Sequence, residues 1–161
     1  MKTLNLKCAP KLTIISFQNK KVQFECQLNY KFDYDVDYVH HDYGFIPEGY
    51  AKLWQWPENT EYFEDDIISL GTKIAKDAAT KNPMIIWTQN LFVFTAIRVA
   101  VHNKHIDAKD VGIYYVQGPP DKINVVKIKI DSEGRYDQRP SGFFDQIDNL
   151  LMELLRPHDE S

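Results

Sequence analysis

The chain has 161 residues, 43% of them apolar, 26% charged and 13% aromatic, with a formal charge of −4. That length is ample for one packed core, and the balance is that of an ordinary globular domain. The acidic balance argues against a broad nucleic-acid face, because no Lys/Arg run exceeds Lys20-Lys21. A single domain over 1–156 is expected, with 157–161 as a polar tail.

The N-terminal MKTLNLKCAP is basic but leads into no apolar core, which predicts no secretory signal. The apolar run Leu91 to Val101 carries Arg98 and is too short to cross a bilayer. Cys8 and Cys26 form no CxxC pair. A reduced, cytoplasmic protein without a membrane role is expected, with a Cys8–Cys26 bridge across neighbouring strands left open.

In chain order, 11–17 (KLTIISF) and 22–32 (VQFECQLNYKF) alternate and are rich in β-formers. The polar link Gln18 to Lys21 between them predicts an antiparallel hairpin. Residues 33–50 are irregular and aromatic, with turns at Gly44, Pro47 and Gly49. Ile67, Leu70, Ile74, Ala75 and Ala78 recur at helical spacing behind the acidic Glu64, Asp65 and Asp66, and Asn82-Pro83 ends that helix. Met84 to Trp87 is a short buried strand. Leu91 to Asn103 is a helix apolar on nearly every side. Asp107 and Asp110 can cap a short turn. Val111 to Val116 is a strand, and Val126, Ile128 and Ile130 face away from Lys127 and Lys129 in the next. Phe144, Ile147, Leu150, Leu151 and Leu154 then form an amphipathic helix. The alternation predicts an α/β fold with a mixed sheet: an N-terminal antiparallel hairpin, a parallel βαβ part and a C-terminal helix.

Two constellations invite chemistry. Gly44 and Gly49 have the spacing of a phosphate loop, but Tyr50 and Ala51 stand where Lys and Ser/Thr are needed, and Glu48 would repel phosphate. Turn glycines suffice. Asp33, Asp35, Asp37, His40 and His41 are a dense set of metal-ligand types, as a two-metal hydrolase or nuclease would use. Along a strand, however, the three carboxylates are spaced about 7 Å apart and do not converge, so a solvated acidic face is the plainer reading. No serine or cysteine sits in a nucleophile motif.

Residues 84–151 resemble the C-terminal part of prokaryotic OLD/RecF-like ABC-class ATPases that end in Trp-Pro-x-Gly-Phe-Phe-Asp. Ile85, Ile86 and Thr88 match the first strand of that segment. Asp110, Val111, Ile113, Tyr114 and Val116 match the second. Asp131 and Gly134 match a D-x-x-G turn, and Pro140, Gly142, Phe143, Phe144 and Asp145 match the closing motif, with Arg139 in place of Trp. The resemblance implies that Gln89 replaces the histidine that senses the γ-phosphate. It also aligns Gln55-Trp56-Pro57-Glu58 with the Walker B end, which leaves Gln55 in place of the Mg²⁺-binding acid and Glu58 as the second glutamate. Residues before the match supply no phosphate loop, so the nucleotide-binding lobe is expected to be missing.

The resemblance therefore implies a non-catalytic, ATPase-derived accessory subunit without a cofactor. Its partner would be a full ATPase or nuclease subunit in a prokaryotic DNA-directed or phage-defence system, or a second copy of itself. Phe143, Arg139, Trp54 and Trp56 are the interface candidates. Neighbouring helix positions point about 100° apart, so Phe144 is assigned to the core stripe and Phe143 to the edge. The alternative is a small metal-dependent hydrolase or nuclease built on Asp33, Asp35, Asp37, His40 and His41.

Overall fold

The computed structural model describes residues 2–32, 39–40, 51–55, 64–80, 82–119, 121–140, 142–143 and 153–157. The chain runs β1 (Lys2–Lys7), β2 (Leu12–Phe17), α1 (Lys20–Phe24), β3 (Cys26–Lys31), β4 (Val39–His40), β5 (Ala51–Gln55) and α2 (Glu64–Thr80). It continues through β6 (Met84–Trp87), α3 (Leu91–His102), a 3-10 turn (Ala108–Asp110), β7 (Val111–Gln117) and β8 (Asn124–Ile128). Six strands form one sheet in the order β4-β5-β6-β2-β7-β8, and β1 and β3 form a second, two-stranded sheet. Every neighbour in the large sheet is parallel except the β7–β8 pair. The fold is therefore α/β with a mixed sheet, as expected.

The six residues of β2, LTIISF, are all buried because the strand lies between β6 and β7 and is covered on both faces. Register keeps like positions together: Leu12 pairs with Met84 and Val111, and Ile14 with Ile86 and Ile113. These residues point to α2 and α3, where Ile74, Ala75, Ala78, Val93, Phe94, Ile97 and Val101 close one core. Ile15, Phe17, Ile85, Tyr114 and Val116 point the other way, onto Leu4, Leu6, Val22 and Ile123. A strand's period of two thus feeds two cores from one apolar run.

The N-terminal hairpin is not formed. Gln18 to Lys21 does not turn the chain tightly; Asn19 accepts the Val22 N–H at 2.9 Å and caps α1. This short crossover carries β3 away from β2 and brings it alongside β1, in parallel, with Lys2 opposite Cys26 and Lys7 opposite Lys31. β3 is half-exposed at alternate residues, as an edge strand with one covered face should be. The same register excludes a disulfide. Cys26 pairs with Lys2, while the Cys8 N–H bonds Lys31 at the far end, roughly 17 Å along the strand, and both thiols are free.

α2 and α3 lie against each other with Gly71 facing Ala96: a Cβ at Gly71 would come within 2.4 Å of the Ala96 Cβ. α3 is buried along Val93, Phe94, Ala96, Ile97, Ala100 and Val101, but Phe92 and Val99 are 40% and 44% exposed. Burial on nearly every side was expected; only the stripe facing the sheet and α2 is covered. The 3-10 turn stands where Asp107 and Asp110 predicted a turn, yet the Asp107 side chain makes no capping bond.

Beyond β8, Asp131 accepts the Glu133 and Arg135 N–H groups at 2.9 Å each and folds the D-x-x-G segment into a turn. Gly134 closes it at φ +79, where a Cβ would meet the Arg98 carbonyl oxygen at 2.4 Å. Phe143 is 1% exposed and belongs to the helix-side core, so its assignment to an exposed edge is corrected. Phe144, Ile147, Leu150 and Leu151 lie outside the described residues. Leu154, placed in the core stripe from its spacing, is 80% exposed in a helical turn over 153–155 and is not part of it.

Candidate functional site

In a parallel sheet the strand ends that point their carbonyls outward border the crevice where ligands usually sit. Here β2, β5, β6 and β7 present Phe17-Gln18, Gln55, Trp87-Thr88-Gln89 and Gln117 at that edge. Gln55 is in register with Trp87 on the neighbouring strand, and Gln89 follows two residues later. Two sequence positions 34 apart, Gln55 and Gln89, thus share one edge of adjacent strands.

The turn from β6 into α3 is fixed by its own side chains. Thr88, 2% exposed, accepts the Asn90 N–H at 3.0 Å, and Asn90 accepts the Phe92 N–H at 2.9 Å as the N-cap of α3. The Thr88 N–H in turn bonds the Ile15 carbonyl at 3.1 Å, holding the turn against β2. Ser16, buried in β2, donates to the Gln89 side-chain carbonyl at 2.7 Å. Sequence reading passed over Ser16. The available signal was a hydroxyl inside an otherwise apolar buried run, which needs a partner.

On the β1–β3 side, Trp87 donates its indole N–H to the Tyr30 hydroxyl at 2.8 Å and stacks edge-on to Phe17 with centroids 5.5 Å apart. Burial pushes the Tyr30 hydroxyl well above the usual phenol range, against the bond from Trp87. On the neighbouring edge of β7, Gln18 accepts the Gly118 N–H at 3.0 Å.

The described side chains of this edge, Ser16, Gln18, Thr88, Gln89, Asn90 and Gln117, are hydroxyls and amides. They can hydrogen-bond but carry no charge to offset Mg²⁺ and no group that titrates near neutrality. Among the described residues no three His, Cys, Asp or Glu side chains are grouped to hold a metal.

The other predicted positions are more scattered. Trp54 lies in β5, in register with Ile86, and His40 lies in β4, in register with Lys52. Asp33, Asp35, Asp37, His41, Trp56 and Glu58 lie outside the described residues. Phe143 is buried against Tyr115 on β7, three strand spacings or about 14 Å from β5. Arg139 is exposed, and with Arg98 it opposes the burial that raises the Tyr136 hydroxyl.

Among the described residues no helix is long and apolar enough to cross a membrane. No curated protein and no solved structure matches the chain. Residues 106–154, from just before the 3-10 turn to beyond Phe143, match the family described as "Protein of unknown function (DUF3696)", a domain known in AAA/ABC-ATPase-like proteins.

Proposed function

We propose that this chain is a non-catalytic, ATPase-derived accessory subunit that acts by binding a full ATPase or nuclease. The observation that carries the reading is the pair of neutral amides, Gln55 and Gln89, at the ends of adjacent parallel strands. In the resembled OLD/RecF-like ATPases those positions hold an acid for Mg²⁺ and a histidine for the γ-phosphate. An amide can do neither: it lacks the charge that a hard divalent ion requires and cannot exchange a proton near neutral pH. The bond from Ser16 to Gln89 further ties the amide carbonyl to the scaffold. A family match to a domain of ATPase-like proteins supports the same descent.

Tagged chain purified from its own cells, with co-purifying proteins identified by mass spectrometry, tests the reading. Recovery of an ATPase or nuclease in fixed ratio supports it. ATP hydrolysis by the chain alone, lost on Gln89→Ala, overturns it.

A further inference from the structure

At the opposite edge of the sheet from Gln55 and Gln89, a groove of about 350 Å³ lies between the end of β1, the 3-10 turn and the β7–β8 pair. Four lysines line it: Lys7 from β1, Lys109 from the 3-10 turn, Lys127 within β8 and Lys129 just beyond. Among the described residues no carboxylate and no arginine lines it. The clustering is notable in a chain whose formal charge is −4.

Lys109, Lys127 and Lys129 form no ion pair with any described residue, and the Lys127 ammonium stands 5.9 Å from the Tyr114 ring centroid. The carboxylates nearest in sequence to these lysines are Asp107, Asp110 and Asp131, and none of them lines the groove. Asp137 accepts the Lys129 backbone N–H at 2.8 Å. Cys8, also in the lining, stays a neutral thiol because burial pushes it up to about 11. The like charges of Lys109, Lys127 and Lys129 at a concave site focus a positive field that favours an anion. Ala9, Pro10, Val111 and Ile130 give the same groove an apolar wall.

We propose that this groove binds a small organic phosphate carrying two or more negative charges. Lysines bind phosphate as compact point charges that need no planar fork, and several together match a ligand with two or more negative charges. The volume is that of a small-molecule site, and the acidic remainder of the chain disfavours a long polyanion. The site is independent of the accessory role proposed above, since it uses none of the residues on the amide edge.

The test is calorimetric titration of the full chain with pyrophosphate, without divalent metal. Saturable binding with a Kd of about 1 mM or tighter is expected. Lys127→Gln with Lys129→Gln weakens it about tenfold or more, while Lys20→Gln with Lys21→Gln, which removes equal charge outside the groove, changes it less than about twofold. Should the β8 pair lose its fold, Lys109→Gln alone reads the same site and weakens binding severalfold. Absence of saturation, or equal losses in the two double variants, overturns the proposal. Citrate binding as tightly as pyrophosphate overturns the phosphate assignment, and a single-stranded oligonucleotide binding tighter than both overturns the small-ligand assignment.

Discussion

Phe143 sets its ring edge-on to Tyr115, with centroids 5.4 Å apart and planes at 67°. Phe94 and Tyr136 flank the same ring at 5.6 and 5.5 Å, so Phe143 is the centre of a four-ring cluster that closes the helix-side core over β7. Phe143→Ala is expected to destabilise the fold by about 3–5 kcal/mol, through lost transfer energy and the cavity left behind. Urea denaturation measures it. A loss below about 1 kcal/mol would show that the ring is peripheral and return Phe143 to the list of interface anchors.

The contact of Gly71 with Ala96 sets propensity against packing. Ala is the better helix former by about 1 kcal/mol, so an isolated helix gains from Gly71→Ala. Here the new methyl would lie 2.4 Å from the Ala96 Cβ, so the helices must separate. Gly71→Ala is expected to cost about 1–3 kcal/mol, and adding Ala96→Gly to recover most of it. Thermal melts of the two singles and the double decide the matter; a more stable Gly71→Ala protein would mean that α2 and α3 are less closely packed.

Ser16 and Gln89 offer a double-mutant cycle at the amide edge. Ser16→Ala removes the 2.7 Å bond, with an expected loss of about 1 kcal/mol because the exposed amide can turn to water. With Gln89→Ala already present, Ser16→Ala should cost clearly less. Additive losses would mean that the bond does not hold the β6–α3 turn in place.

Stability should decline in alkali. Cys8 and Tyr30 are both raised above their ordinary values of 9.0 and 10.0, chiefly by burial. The unfolded chain therefore releases these protons first. Their contribution is complete below pH 9, begins to fall as unfolded Cys8 ionises, and keeps falling as pH climbs through the Cys8 value of about 11. Cys8→Ala should flatten the slope of Tm between pH 9 and 11. An unchanged slope would place Cys8 in water.

Much of this fold was written in local pattern. The helical spacing of Ile74, Ala75 and Ala78, the run Met84 to Trp87 and the alternation of Ile128 and Ile130 with Lys127 and Lys129 all describe neighbours along one element, and each element formed. The D-x-x-G segment likewise carries its own turn, since Asp131 satisfies backbone groups two and four residues away. Pairing and partnership were not local. A buried strand and one half of a hairpin share the same β-forming residues, and only the crossover through α1 decided that β3 should join β1 instead of β2. Phe143 and Phe144 were separated by assuming that one helix contained both, whereas the burial of Phe143 rested with Phe94 and Tyr115, both distant in sequence, and with the nearer Tyr136. The same holds for the two edges of the sheet. Gln55 joins Gln89 through the parallel register of β5 and β6, whereas Lys109 meets Lys127 and Lys129 through the antiparallel β7–β8 pair, and Lys7 arrives from the second sheet. Residue type settles what a side chain can do, but convergence depends on strand order, which arises when the whole sheet buries its two faces at once.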